Sequence, residues 1–469
     1  MAMGRGERVR QNTMWVATES IAKGPGHPFY VALNKLLSGA GFDKHAEGLC
    51  ERFYAAGSGR PGVPPGVYFR MLLVGYFEGI DSERGIAWRC SDSLGLREFL
   101  GYGLERATPD HSTLSVIRNR LDEATHQAVF DWVLKVLKER GLVKGKTVGI
   151  DATTLEANAA MRSIVRRDNG EGYRDFLKRL AKESGIEDPA PEDLVKLDRK
   201  RKKKGSNKEW VNPHDPDAKI AKMKDGRTHL AHKAEHAVDM DTGATLAVTV
   251  RPADKGDTQT IGLTLSETME TLQEIGPGPG GPLSVKEVVN DKGYHSDETI
   301  ADLTGMGIRT YTAEPRRKRR KWEGKEQERK AVYANRRRIR GKRGKALLRR
   351  RGERVERPFA HHYETGGMRR THLRGHENIR KRLLIHSSGH NLGLLMRACF
   401  GIGKPRVMQD LAKALAEAFK AAGDAASALA ALIAVLWGLW DLCAATAAGY
   451  RPPRRTRNID GMAGFSTGC

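Results

Sequence analysis

The sequence predicts an α/β protein, in which a mixed sheet with flanking helices is preceded by an all-helical N-terminal domain and followed by a C-terminal helical segment. Three observations predict this fold class. Apolar residues follow a helical period from about 27 to 145, the period changes to that of strands at about 146, and an Ala-rich helical pattern occupies about 408–448. In the middle part, strands and helices alternate as they do where helices cover a sheet.

In the N-terminal part, helix signals are separated by tight polar turns. One helix is expected to begin at Pro64 and Pro65 and to end near Gly79, and Asp110 and Ser112 are candidate N-caps of another. Arg118 and Arg120 lie on that later helix, which is compatible with a helix-turn-helix entering a DNA groove. An all-helical packing domain that touches no base is the alternative, and the sequence leaves both open.

The middle part contains the strand signals. A short strand is expected to end on Asp151, and two alternating strands flank the turn at 241–243. An amphipathic helix follows, with Asp257 as its expected N-cap. Next come a buried strand that ends on Asp291, a short helix after Ser296, a strand at 308–312 and helices beyond about 345.

Charge is the strongest compositional signal. The chain has 81 Lys plus Arg against 57 Asp plus Glu, a formal net charge of +24 and a pI near 9.9. Basic surfaces bind nucleic acid by releasing phosphate counterions, so a polyanionic partner is the first hypothesis. Solubility alone is the alternative, but the basic residues are clustered, which favours a partner.

Cysteine usage and hydropathy bear on the cellular compartment. The five cysteines are scattered, odd in number and without a C-x-x-C pair, which predicts a reducing cytoplasm. The N-terminus lacks the apolar core of a secretory signal. The apolar stretch at 428–440 has 13 residues, too few to span a bilayer, and is interpreted as a buried or dimer-forming helix. We therefore expect no membrane partner, and a homodimer is a hypothesis.

Two acids end predicted strands in the same way. Asp151 follows "VGI" and Asp291 follows "EVVN". In a sheet whose first and fourth strands are neighbours, these carboxylates would be adjacent and would repel one another unless a cation lay between them. Mg²⁺ prefers a few carboxylate oxygens. Glu356 is the best candidate for a third ligand and Glu353 is its rival. For Asp291 alone, a turn at a strand end is the other explanation.

Several blocks resemble a known family. The segments "GIDATTLEANA", "VVNDKGYHS", "RVERPFAHHYETGGMRRTHLRGHENI" and "HNLGLLMR" are similar to blocks of bacterial insertion-sequence transposases with a ribonuclease-H-like DDE catalytic core. The stretch from "HPFYVALNKLL" to "PDHSTLSVIRNRL" resembles the helical N-terminal domain of that group. The resemblance covers most of residues 15–400. It implies a ribonuclease-H-like sheet and an enzyme that cleaves DNA at terminal inverted repeats and joins the ends to target DNA.

The resemblance also implies site residues. Asp151, Asp291 and Glu356 would be the catalytic acids and would hold two Mg²⁺ ions, with Mn²⁺ as the alternative metal. The family usually has a basic residue before the glutamate, a role that Arg351 can fill. It often has a lysine about two turns later, where this sequence has Tyr363. Arg369 or Arg370 could substitute for that lysine.

Other residues are predicted to contact double-stranded DNA. The basic segment at 316–357 is either a solvated loop or a clamp that positions phosphates. Trp322 within it would anchor the loop or stack on a base. His295 would contact a phosphate or cap the following helix. His372 and His376 have the spacing of zinc ligands, but no acid or thiolate at matching spacing supports zinc. The basic residues assigned to DNA in this segment are Arg316, Arg317, Lys318, Arg319, Arg320, Arg351 and Arg354, and Arg369 and Arg370 beyond it are assigned to DNA as well.

The sequence therefore divides into four parts, with three functions to separate. The parts are a tail (1–26), a helical DNA-binding or assembly domain (27–145), a catalytic domain (146–400) with insertions at about 162–227 and 313–345, and a C-terminal helix with a basic tail (401–469). A transposase is the leading hypothesis. A nuclease without transposition and a catalytically silent DNA-binding protein are the alternatives, and the intact acidic trio disfavours the second of these.

Overall fold

A computed structural model describes residues 26–55, 62–201, 205–223, 225–316 and 320–405. The predicted C-terminal helix at 408–448, the basic tail after it and most of the N-terminal tail lie outside the described residues. So do Arg317, Lys318 and Arg319. In the described ranges, no helix is both long enough and apolar enough to cross a membrane.

The N-terminal part is helical, as predicted. One expected helix begins at Pro65 and ends before Gly79, whose φ of +71° is the left-handed conformation that glycine adopts at low cost. Asp110 caps another helix by accepting from the Thr113 N–H at 2.7 Å. Ser112 lies inside that helix and is not its cap, which corrects the prediction. The helices are α1 Pro28–Gly39, α2 Phe42–Cys50, α3 Pro65–Glu78, α4 Glu83–Asp92, α5 Leu94–Phe99, α6 His111–Arg120 and α7 Glu123–Glu139.

The following part contains the mixed sheet. Its strands are β1 Thr147–Glu156, β4 Lys219–Lys222, β5 Thr228–Asp239, β6 Thr245–Pro252, β7 Glu287–Asn290 and β8 Arg309–Thr312, and two short strands, β2 Val165–Arg166 and β3 Trp210–Val211, form a separate pair. The first strand pairs antiparallel with β5 and parallel with β7, β7 pairs parallel with β8, and β5 pairs antiparallel with both β4 and β6. This order confirms the expected ribonuclease-H-like mixed sheet, because the first and fourth predicted strands are neighbours.

Helices cover both faces of the sheet. On one face, Ile261 and Leu265 of the predicted amphipathic helix are buried with Val148 and Val288. On the other face, Leu347 packs with strand residues in a second cluster. The helices of this part are α8 Tyr173–Glu183, α9 Pro191–Lys200, α10 Asp257–Glu274, α11 Asp297–Gly305, α12 Glu326–Arg340, α13 Lys342–Arg354, α14 Glu356–Phe359 and α15 His376–Phe400.

The first insertion has a core of its own. Trp210 is 1% exposed and packs with Phe176, Leu177 and Leu194, so α8 and α9 are held on the short strands β2 and β3. The strand β4 joins the main sheet at β5. The sequence predicted only a polar, charged interruption here, because each short element carries few apolar residues.

The second insertion contains a helix, which starts at Glu326, and its described residues before that point are not helical. The helix α12 begins at Glu326, well before the expected start at about 345. Its Ala331 and Val332 pack against Ile300 of α11, and Trp322 packs against the same cluster. Trp322 is therefore an anchor, as one of the two interpretations predicted.

The helical part and the sheet part share one core. The helix α15 lies between them, and most of its residues are buried. Its Arg380 donates to Gln127 of α7 at 3.2 Å and to Glu267 of α10 at 2.7 Å. Its Arg382 donates to the Ile80 carbonyl at 3.0 Å. These contacts fix the N-terminal helices against the sheet.

Candidate active site

The register of two parallel strands brings two predicted acids together. Val148 of β1 is paired with Val288 of β7, and Gly149 with Val289. Two residues further along each strand, the same register places Asp151 level with Asp291. Neighbouring strands lie about 4.8 Å apart, so the two acids are close neighbours at this position.

The two acids are held differently. The strand β1 continues to Glu156, so Asp151 lies within the strand and not at its tip, which corrects the prediction. Asp291 does follow the last residue of β7. Its carboxylate accepts the Gly293 N–H at 2.8 Å and caps a short 3-10 turn, so the turn interpretation is also correct.

Opposing effects act on the pKa of Asp151. Burial raises the pKa of its carboxyl group, the Arg351 guanidinium lowers it, and the negative charge of Asp291 raises it. The net effect is a pKa above the ordinary value for aspartate. Burial and a neighbouring acid both disfavour the ionised carboxylate, so a nearby cation is needed to stabilise it.

Arg351 of α13 supplies such a cation. One of its nitrogens donates to Asp151 Oδ2 at 2.8 Å, and the other lies 3.4 Å from Glu356 Oε1. A single guanidinium therefore joins the first and third predicted acids. The Glu356 side chain is 61% exposed, whereas that of Asp151 is 21% exposed.

A close approach of helix and strand makes this contact. A Cβ atom added to Gly149 would lie 2.5 Å from a methyl carbon of Val355 and 2.6 Å from the Met240 sulfur. Glycine two residues before Asp151 thus lets the end of α13 rest directly on β1. Because Val355 precedes Glu356, this packing also fixes the start of α14, where Glu356 shares Arg351 with Asp151.

The carboxylate groups of Asp151, Asp291 and Glu356 are chemically suitable ligands for a divalent metal. Carboxylate oxygens are the ligands that Mg²⁺ prefers, and adjacent acids need a positive charge to be ionised together. Arg351 provides that charge to two of them. The structure does not arrange three or more His, Cys, Asp or Glu side chains as a metal cluster anywhere in the described part of the chain.

The rival acid lies elsewhere. Glu353 is exposed and lines a cavity together with Arg354, Arg357 and His361. Arg351 contacts Glu356 and not Glu353. The contacts therefore favour Glu356 as the third acid.

The position of the expected lysine is buried. Tyr363 is 4% exposed, its hydroxyl bonds to His236, and its ring stacks on Phe359 at 5.6 Å. The suggested substitutes are on the surface. The Arg369 side chain is 56% exposed and pairs with Glu364, and that of Arg370 is 61% exposed.

Three other residues predicted to bind DNA make internal contacts. Arg354 donates to the Thr242 carbonyl at 3.2 Å. The Arg320 side chain is 12% exposed and bonds to Asp297 at 2.6 Å and to Glu314 at 3.1 Å. The Arg118 side chain is also 12% exposed, and it pairs with Glu83. Their expected contacts with DNA stay predictions, and each has a structural role in the described chain.

The remaining residues predicted to contact DNA differ in how exposed they are to solvent. Arg316 and Arg120 are exposed, and the Arg120 guanidinium lies 4.9 Å from the centre of the Tyr54 ring. His295 is 1% exposed, which disfavours direct contact with a phosphate. It does not cap α11 either, because Ser296 does so by accepting the Thr299 N–H at 2.9 Å.

The histidines with zinc spacing have other neighbours. His372 lies 3.0 Å from Asp81, and His376 lies 3.9 Å from Asp217 and contacts His232 edge to face. The described residues offer these two histidines no metal cluster.

Sequence reasoning missed a buried polar group next to the site. Asp257 is not the N-cap of α10, because Gly256 occupies that position. Asp257 instead forms an ion pair of 2.7 Å with Lys233 of β5. A signal was present in the sequence, since Lys233 and Glu235 occur at alternate positions of one predicted strand and therefore point to the same face.

Two family models match the chain. The model described as "Transposase domain" matches residues 19–120, and the model described as "Transposase DDE domain" matches residues 171–392. The second range contains Asp291 and Glu356, whereas Asp151 precedes it. Neither a curated protein nor a solved structure matches. The two matched domains, in this order and on this fold, show that the chain belongs to the insertion-sequence transposases and carries a DDE transposase domain.

Proposed function

We propose that this transposase binds the terminal inverted repeats of its insertion sequence, cleaves the DNA and joins the ends to a target. Asp151, Asp291 and Glu356 are the proposed catalytic and metal-binding acids, with Mg²⁺ as the metal and Mn²⁺ as its substitute. Two relationships support the proposal: the strand register places Asp151 level with Asp291, and Arg351 contacts both Asp151 and Glu356.

Each of the three acids is held by a different structural element. A pair of divalent ions bound by these acids would activate the attacking oxygen and stabilise the leaving oxygen of the phosphodiester. Asp151 is fixed on a strand paired on both sides, and Asp291 is fixed by its bond to the Gly293 N–H. Glu356 is more exposed, which suits an acid that completes the site from a helix.

Arg351 has a role in this proposal as well. It contacts both Asp151 and Glu356, and we infer that it would bind a phosphate once those acids bind metal. Guanidinium groups suit phosphates because they donate two parallel hydrogen bonds. Arg351 would thus hold the DNA strand beside the acids.

The helices before Glu356 support DNA binding. Exposed cations occur along α12 and α13, namely Arg337, Arg340, Lys342, Lys345 and Arg349. They precede Arg351 on the elements that end at the site. Such residues position DNA through its phosphates without reading sequence. We propose that α12 and α13 form the clamp.

The test is a strand-transfer assay on labelled terminal-repeat DNA with Mg²⁺. Wild-type protein should give joined products, and Asp151→Asn, Asp291→Asn and Glu356→Gln should give none while still binding DNA. Glu353→Gln is the matched control and should retain activity. If Glu353→Gln is inactive and Glu356→Gln active, the assignment of the third acid is wrong. Cleavage without joining would indicate a nuclease, and binding alone a silent DNA-binding protein.

A further inference from the structure

A buried polar group lies on the face of the sheet that α10 covers. Glu235 of β5 is fully buried. Its carboxylate accepts from the Tyr294 hydroxyl at 2.7 Å, from Thr260 at 2.9 Å and from Thr264. A buried carboxylate with three donors is well satisfied and resists displacement.

Lys233 extends this group toward the surface. It is 4% exposed, and its ammonium bonds to Asp257 at 2.7 Å, to Thr260 at 2.9 Å and to the Lys255 carbonyl at 3.3 Å. It also lies 4.0 Å from Glu235. One cation therefore connects the buried glutamate with Asp257, whose side chain is 36% exposed.

Both ends of this group contact the loop that carries Asp291. Tyr294 bonds to Glu235 from inside the protein. On the other side, the Asp257 carboxylate packs on Gly293, since a Cβ atom there would lie 2.5 Å from Asp257 Oδ2 and 3.1 Å from Asp291 Oδ1. Gly293 is the residue whose N–H holds the Asp291 carboxylate. The loop at 291–294 is thus held from two sides.

We propose that Lys233 and Asp257 are positioning residues for Asp291 and thereby set the metal affinity of the site. This inference rests on the proposed function, because it takes Asp291 as a metal ligand. A purely structural ion pair is the simpler explanation. It would account for the burial of Lys233, but it gives no reason for the contact of Asp257 with Gly293 beside Asp291.

For Lys233→Met, the loss of charge and the loss of positioning predict opposite changes in metal affinity. Lys233→Met removes a positive charge near the acids, so electrostatics alone would tighten the binding of a divalent cation. If Lys233 holds Asp257 against the loop, the same substitution weakens binding. Residues that orient metal ligands typically change metal affinity by about tenfold or more when substituted.

The experiment is a titration of the full chain with Mn²⁺, followed by electron paramagnetic resonance. Lys233→Met and Asp257→Asn should each raise the Mn²⁺ dissociation constant about tenfold. Glu274→Gln is the matched control, because Glu274 lies on the same helix and pairs with Lys135 at 3.0 Å away from the loop. Its dissociation constant should equal that of the wild type.

Several results would overturn the inference. Unchanged or tighter Mn²⁺ binding by Lys233→Met would do so, as would a lower melting temperature without a change in Mn²⁺ affinity. Should Lys233→Met fail to fold, Asp257→Asn can still refute the role, because Asp257 is one-third exposed and its substitution removes both a negative charge and the contact with Gly293. An Asp257→Asn affinity within about twofold of wild type then refutes the role.

The assay also separates this inference from the proposed function. If the wild type joins no DNA but both variants weaken Mn²⁺ binding, the function is wrong and the positioning role stands. If the wild type joins DNA and Mn²⁺ affinity does not change in the variants, only the positioning role is wrong. Failure of the wild type to bind Mn²⁺ overturns both.

Discussion

Arg351 lies 2.8 Å from Asp151 and connects it to Glu356, so one guanidinium contacts two acids that are 205 residues apart in the sequence. The link depends on packing of the end of α13 against Gly149. It places a positive charge where adjacent carboxylates require one.

Removal of the guanidinium should expose the repulsion between the acids. We expect Arg351→Gln to lower the free energy of unfolding by about 2 kcal/mol without divalent ions, because Asp151 loses a charged hydrogen bond. Added Mg²⁺ should then raise the melting temperature more in the variant than in the wild type. Thermal unfolding with and without Mg²⁺ measures both effects.

Arg350→Gln is the control for that substitution. Arg350 pairs with Asp241 at 3.2 Å, and both side chains are about half exposed. Exposed pairs contribute less than about 1 kcal/mol, so this variant should behave like the wild type. Equal responses of the two variants to Mg²⁺ would contradict a special role for Arg351.

Tyr363 should not tolerate the lysine that the family often has near this point. Tyr363→Lys places an ammonium in a fully packed site, and we expect a loss of about 3 kcal/mol or more. Tyr363→Phe removes only the hydrogen bond to His236 and should cost about 1 to 3 kcal/mol. Urea unfolding of both variants tests this order. A stable Tyr363→Lys protein would show that the residue can turn to the surface.

The basic helices should determine the salt dependence of DNA binding. Substitution of Lys342, Lys345 and Arg349 by Gln removes three exposed cations of α13. If each contacts a phosphate, the slope of log affinity against log salt should fall by about 2 to 3. The control replaces Arg174, Lys178 and Lys182, three exposed cations of α8, and should leave the slope unchanged. Fluorescence anisotropy at several salt concentrations gives both slopes, and an unchanged slope in the first variant would exclude α13 from the clamp.

Buried histidines should make the fold less stable at mildly acidic pH. Burial lowers the pKa of His126 and of His362 to about 4, whereas the pKa in an unfolded chain is about 6.5. The folded state therefore binds fewer protons between these values. The free energy of unfolding is then at its full value above about pH 6.5 and falls as the pH decreases toward 4, by up to about 3 kcal/mol for each histidine.

Urea unfolding at pH 7, 6 and 5 tests that dependence. His126→Gln should reduce the slope of stability against pH, because Gln does not titrate there. His111→Gln is the control, since His111 is exposed on α6 and should leave the slope as in the wild type. Stability that does not change between pH 7 and 5 would contradict the prediction.

Local signals in the sequence were sufficient for much of the fold. Pro65 and Gly79 bounded a helix because one fixes φ at a helix start and the other accepts the left-handed conformation at its end. Alternating residues predicted the β5 and β6 hairpin, and the apolar run before Asp291 predicted β7. Those patterns depend on neighbours within a few residues, so one sequence contains them.

The predictions that failed depended on distant partners. Asp151 was expected at a strand tip, but β5 pairs with β1 beyond it and extends the strand to Glu156. Asp257 was expected as an N-cap, but its carboxylate forms an ion pair with Lys233 of the distant strand β5. For the basic segment at 316–357 the sequence left a loop and a clamp open, and the packing of α12 on α11 is a contact with a distant partner that local patterns did not indicate.

Periodicity and charge are properties of short segments, so they were enough to predict the class of fold, the candidate acids and the basic character of the chain. The folded chain was needed to show that Asp151 is level with Asp291, that Arg351 joins Asp151 to Glu356, and that Asp257, paired with Lys233, lies against Gly293. The physical reason is that side chains far apart in the chain meet only after strand register and helix packing are fixed. Strand register and helix packing in turn depend on the packing of the entire core.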